Sequence, residues 1–107
     1  MKYIKINGNE YKALEFDFDL ICNIEDMGVS IEEAGEKPMK MVRAYIGLCM
    51  NVSKETASKE IQEHVVNGGD FTEIISIMYE MMGKSDFFLA LNKKSEEKNP
   101  TDETTEK

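Results

Sequence analysis

Apolar and polar residues alternate through "YIKI" at residues 3–6, and a second run, "EYKALEF" at 10–16, follows an Asn7-Gly8 pair. Period-two alternation on either side of Asn-Gly predicts a β-hairpin over residues 2–16, because Asn and Gly tolerate the positive φ of a type I′ turn. A two-residue loop sets Lys5 opposite Glu10 and Ile4 opposite Tyr11. Ile4, Ile6, Tyr11 and Ala13 then share one face, while Leu14 and Phe16 fall on the other. The second strand is therefore expected to be bulged or buried on both sides. A lone hairpin is marginal in water, so this one must pack on helices.

After Asp17 the apolar spacing lengthens to three and four. Leu20, Ile21, Ile24 and Met27 predict a first helix from Phe18 to Met27, capped by Asp17 and stopped by Gly28. Ser30 and Glu33 have capping-box spacing, but Gly35 and Pro38 limit any helix there to about a turn. Pro38 opens a second helix that runs to Met50, with Met39, Val42, Tyr45, Ile46 and Cys49 at helical spacing. Met41 and Leu48 widen its apolar face, so it is expected to be central. Ser53 caps a third helix to Val66, whose stripe of Ala57, Ile61 and Val65 is narrow. Gly68-Gly69 ends it. Asp70 and Glu73 repeat the capping-box spacing before a fourth helix carrying Phe71, Ile74, Ile75, Met78 and Met82, which Gly83 is expected to stop. Ser85 caps a short fifth helix, "DFFLALN". Beyond Asn92 the chain is polar and aperiodic, as expected of a disordered tail over residues 93–107. The expected fold is a small, mainly α domain over residues 1–92, with four to five helices and an N-terminal β-hairpin.

A chain of 107 residues suits one domain, and 41% hydrophobic residues, clustered as above, suffice for a core without metal or disulfide. The net charge of −8 argues against a phosphate-tracking nucleic-acid binder and against an anionic membrane surface. Cys22 and Cys49 lie within apolar-periodic segments and form no CxxC, so they are expected to be buried, unbridged thiols in a reducing compartment. The N-terminus has no apolar h-region of a signal peptide, and no apolar run reaches the ~20 residues of a membrane span.

Catalytic and metal-binding patterns fail one by one. His64 is the sole histidine and has no cysteine at zinc-ligand spacing. In "DFDLICNIED" Ile21 and Cys22 stand where a calcium loop requires an oxygen ligand and a glycine. There is no GxxxxGK, GxGxxG or GxSxG. Glu32-Glu33 and Glu96-Glu97 fall in polar segments, without the desolvated pocket that a general acid needs. No catalytic residue, metal or cofactor is expected. What stands out instead is apolar excess near the tail. The eight methionines include Met39, Met41, Met50 and Met81-Met82, beside three helices; methionine fills irregular core gaps and also serves adaptable binding surfaces, and core filling is the expected role. Tyr79, Met81, Phe87, Phe88 and Leu91 cannot all turn inward from so short a segment. These five are the expected partner-binding residues.

The order hairpin, "YKALEFDFDLICNIED" (11–26), methionine-rich helix, "SKETASKEIQEHV" (53–65), Gly-Gly turn and "FFLALNKK" (87–94) resembles the tail assembly chaperones of long-tailed bacteriophages, especially those infecting Gram-positive hosts. None of these stretches is a catalytic motif; each is a pattern of apolar and capping residues. The resemblance implies a non-catalytic protein of the host cytoplasm, absent from the mature virion. Such a protein keeps the tape measure protein soluble and recruits tail tube subunits. It also implies self-association or an extended form made by ribosomal frameshifting, for which Lys93-Lys94 is the expected site. An adaptable apolar groove of methionine and phenylalanine on an acidic body would suit a long helical partner. Two other readings compete: a small acidic phage adaptor of the head–tail type, and an inhibitor that mimics DNA. The second is weakened by carboxylates scattered over several surfaces.

Overall fold

A computed structural model describes residues 2–30, 33 and 36–91. The expected polar tail over 93–107 and the Lys93-Lys94 pair lie outside the described residues, as does Gly35. Strands β1 (Tyr3–Ile6) and β2 (Asn9–Lys12) pair antiparallel in the register set by the Asn-Gly turn, with Lys5 opposite Glu10 and Ile4 opposite Tyr11. Both turn residues have positive φ, Asn7 at 51° and Gly8 at 83°. Ile4, Ile6 and Ala13 are buried on the shared face, with Tyr11 half-buried. The expected bulge is absent. β2 ends at Lys12, and the chain then tightens at Glu15, whose carbonyl accepts from the Asp17 N–H at 3.0 Å. This reversal, not a two-sided strand, turns Phe16 fully inward.

Four helices follow: α1 (Phe18–Asp26), α2 (Pro38–Met50), α3 (Lys54–Val66) and α4 (Phe71–Lys84); a short α5 occupies residues 86–91. Their starts are chemically explicit. The Asp17 carboxylate accepts from the Leu20 N–H, and the Ser53 hydroxyl accepts from the Thr56 N–H. Ser30 and Glu33 form the reciprocal capping box, each backbone N–H donating 3.2 Å to the other's side chain. Asp70 caps α4 differently from expectation: its carboxylate accepts from the Thr72 N–H at 2.9 Å, one residue short of Glu73. Gly83 does not stop α4, which continues to Lys84; a Cβ there would meet open space. Ser85 marks the real break. Its hydroxyl accepts from the Phe88 N–H at 3.0 Å to start α5 and donates to the Phe16 carbonyl.

Helix α2 is central, packing on α1, α3, α4 and β2. Its buried face is Met41, Val42, Ala44, Tyr45, Ile46 and Gly47, whereas Met39, expected in the stripe, is 60% exposed. Tyr45 stacks on Phe16, with centroids 4.9 Å apart, and donates its hydroxyl to the Leu14 carbonyl at 2.7 Å. Burial pushes the Tyr45 phenol and the Cys49 thiol up from their ordinary values. Cys22 and Cys49 are unbridged but half-buried, not fully buried as expected. Met41, Met78, Met81 and Met82 fill the interior between α2, α4 and the hairpin. Of the clustered methionines, Met41, Met81 and Met82 thus fill the core, as expected, while Met39 is exposed and Met50 half-buried. Methionine's flexible thioether closes irregular gaps where a two-stranded sheet meets helices. On α3 only Ala57 is fully buried, and Val65, expected in the stripe, is exposed.

Candidate functional site

The two phenylalanines of "SDFFLA" part company. Phe88 is 5% exposed and meets the Phe16 ring edge-on at 5.3 Å, completing an aromatic cluster with Tyr45. Phe87 is 40% exposed and meets Phe18 edge-on, with ring centroids at 6.0 Å and an interplanar angle of 90°. Consecutive helical residues point about 100° apart, and in this pair Phe88 follows the core face while Phe87 does not. The Ser85 bond to Phe16 sets which one does.

Phe18 is itself 64% exposed. It is the first residue of α1, after the Asp17 cap, and lies off the Leu20-Ile21-Ile24 face that packs inward. Phe87 also borders a cleft of about 400 Å³ between the β2–α1 linker and the end of α4, with Met81 and Phe16 at its lining. Carboxylates edge this cleft at Glu15, Asp17 and Asp86. Lys84, the cation there, is held by Glu80 at 3.1 Å, and Glu80 also pairs with Lys2 at 3.2 Å. Lys84 and Lys2 hold the Glu80 carboxyl below its ordinary value. The result is a pair of aromatic faces in water, flanked by negative charge. That arrangement offers apolar contact to a partner, with preference for basic groups beside the contact.

The expected partner-binding residues are not brought together as one surface. Phe88 and Met81 are core residues, at 5% and 8% exposure, because the Phe16–Tyr45 stack needs an apolar lid and α4 turns Met81 toward it. Leu91 is half-buried. Tyr79 is exposed but lies about 140° around α4 from the cleft-lining Lys84, five residues on. Of the two exposed members, Tyr79 and Phe87, Phe87 alone borders the cleft. Phe18 and Leu89, also exposed, lie outside the expected set. The signal for Phe18 was available: on a helical wheel it falls roughly 130° from the centre of the Leu20-Ile21-Ile24-Met27 stripe.

A hollow of about 670 Å³ surrounds the hairpin tip and the end of α3. There the Asn7 N–H donates to His64 Nδ1 at 2.9 Å, and the Asn7 side-chain amide donates to the Glu60 carbonyl and carboxylate at 3.0 and 2.8 Å. His64 thus clamps the turn to α3. Among the described residues no group of three or more His, Cys, Asp or Glu side chains is placed to hold a metal ion. Among them, too, no helix is long and apolar enough to cross a membrane. Comparison with family models, with curated proteins and with solved structures finds no match to this chain.

Proposed function

We propose that this chain is a non-catalytic assembly chaperone of a long-tailed bacteriophage, binding the tape measure protein and helping to recruit tail tube subunits. In this reading it works in the host cytoplasm and is left out of the finished virion. The observation that carries the reading is the Phe18–Phe87 pair, two exposed aromatic rings in mutual contact on an acidic domain whose Phe16, Tyr45 and Phe88 rings are packed inside. Exposed aromatic anchors in an otherwise polar surface are the usual form of a binding hot spot. A long helical partner with apolar stripes would engage them by i, i+3 and i+4 side chains. Many copies along one partner chain would add by avidity, so each contact can be weak. The order of elements and the stretches "YKALEFDFDLICNIED" and "FFLALNKK" add support through their resemblance to that chaperone family.

The test is capture of partners by the tagged full chain from cells producing the phage that encodes it, read by mass spectrometry. The expected catch is a very long helical protein together with tube subunits. Both should be lost with Phe18→Ser/Phe87→Ser, a double change on the surface that leaves the aromatic cluster intact. Capture of a host enzyme or a DNA-binding protein in their place would favour the inhibitor reading and overturn this one.

A further inference from the structure

On the side of α2 that meets α3, a groove of about 280 Å³ runs between the two helices to the start of α4. Its apolar wall is Met39, Val42, Ile61 and Phe71; its charged wall is Lys40 and Arg43. No carboxylate lines it among the described residues. Arg43 forms no ion pair among the described residues, and Lys40, though in no direct salt bridge there, acts at longer range on Glu33 and helps hold its carboxyl below the ordinary value. Arg43 is the sole arginine of a chain with net charge −8. It is half-buried beside apolar side chains, a setting in which a guanidinium gains most from a carboxylate. Met39 is exposed at one end of the groove, and Val65, one turn beyond Ile61 on α3, is exposed further along.

We infer that this groove is a second docking site, taking an amphipathic helix of another protein that carries acidic residues beside its apolar stripe. Three features choose that occupant. The volume falls just below the roughly 300–1,000 Å³ of a small-molecule site, so the groove suits side chains brought in by a larger partner. Walls made by two neighbouring helices match apolar anchors at i, i+3 and i+4 of a third. The paired cations select carboxylates next to those anchors, against the overall field of the protein. This site is separate from the Phe18–Phe87 surface, whose flanking charge has the opposite sign, and the inference does not depend on the chaperone reading.

The opposition between local and overall charge makes the test sharp. Two 16-residue helical peptides of Ala, Gln and Leu share the same leucine spacing; one carries Glu beside the leucines and the other carries Lys. Each is titrated into the full chain and followed by amide chemical shifts. The expected result is that the Glu peptide moves the amides of Met39, Arg43, Ile61 and Phe71, although net charge alone would favour the Lys peptide. Arg43→Glu should weaken this binding at least tenfold, Arg43→Lys should largely keep it, and Arg43→Gln provides a neutral variant should reversal unfold the chain. Equal or better binding of the Lys peptide at the groove would overturn the inference. So would Glu-peptide shifts centred on Phe18 and Phe87, or no shift of the groove amides with either peptide. A concentration-dependent dimer dissolved by Arg43→Glu would overturn it in favour of a second copy of this chain.

Discussion

Replacing Phe88 by alanine, and separately Phe87 by alanine, applies the same chemical change to adjacent residues in opposite environments. Phe88 is 5% exposed and touches Phe16 edge-on beneath the Tyr45 stack, so truncation removes its transfer energy and leaves a cavity in a closed core. Such changes cost about 3–5 kcal/mol. Phe87 is 40% exposed, and the ring it meets, Phe18, is more exposed still. Burying a whole Phe side chain is worth about 1.5–3 kcal/mol, and the part of Phe87 that is covered is worth about 1–2 kcal/mol, with no closed cavity left behind. A small domain holds about 5–15 kcal/mol in total, so Phe88→Ala should consume a large share of it. Urea unfolding followed by far-UV circular dichroism reads both. With a slope of about 1–3 kcal/mol per molar, Phe88→Ala should lower the midpoint by roughly 1–5 M and Phe87→Ala by less than half as much. Heat unfolding should show a fall of roughly 12 °C or more for Phe88→Ala. Equal costs for the two variants would refute the assignment of Phe88 to the core and Phe87 to the surface. By the same reasoning Phe88→Asp unfolds the domain and is no probe of binding; Phe87→Asp is the informative change.

Three further outcomes are expected. A Cβ at Gly69 would lie 2.2 Å from His64 Nε2, so Gly69→Ala should displace the ring, break its bond to Asn7 and cost about 1–3 kcal/mol; Gly83→Ala, facing open space within α4, should stabilise by about 0.5–1 kcal/mol, both read by urea midpoints. Ser85→Ala removes both the cap on the Phe88 N–H and the bond to the Phe16 carbonyl, and should cost about 1–3 kcal/mol, with the amides of residues 86–91 losing hydrogen-exchange protection first. Glu80 has a carboxyl lowered by Lys84 and Lys2, so its contribution is fully present above the ordinary carboxylate range near 4.5 and is lost as pH falls through its lowered value. Glu80→Gln should therefore flatten the acid limb of a stability–pH curve, an effect that salt should diminish; an unchanged limb at low salt would refute the contribution.

Much of the fold was legible locally. The hairpin register followed from Asn7-Gly8, because a two-residue turn leaves the pairing no freedom. The bounds of α2 and α3 followed from Pro38 and Ser53, since the first helical N–H groups need either a missing donor or a side-chain acceptor. Hydrophobic period alone was enough to declare a mainly helical domain. These features depend on residues within a few positions of one another, and a linear pattern carries that information.

Side-chain destinations around the tail end needed the tertiary structure. A stretch with two adjacent phenylalanines, a pair of methionines and a tyrosine says that something must be exposed, but not which. The choice depends on contacts far apart in sequence: Phe16 reaches Tyr45 across the linker, and Ser85 ties α5 to Phe16. Together they draw Phe88 in and leave Phe87 beside Phe18. The methionines went inward for a similar reason, because only the packed angles of α2, α4 and the hairpin reveal the gaps they fill. The place of Arg43 in a groove that no carboxylate lines among the described residues is likewise invisible in sequence, since overall charge is a sum over residues whereas a groove's charge depends on which side chains the fold sets side by side.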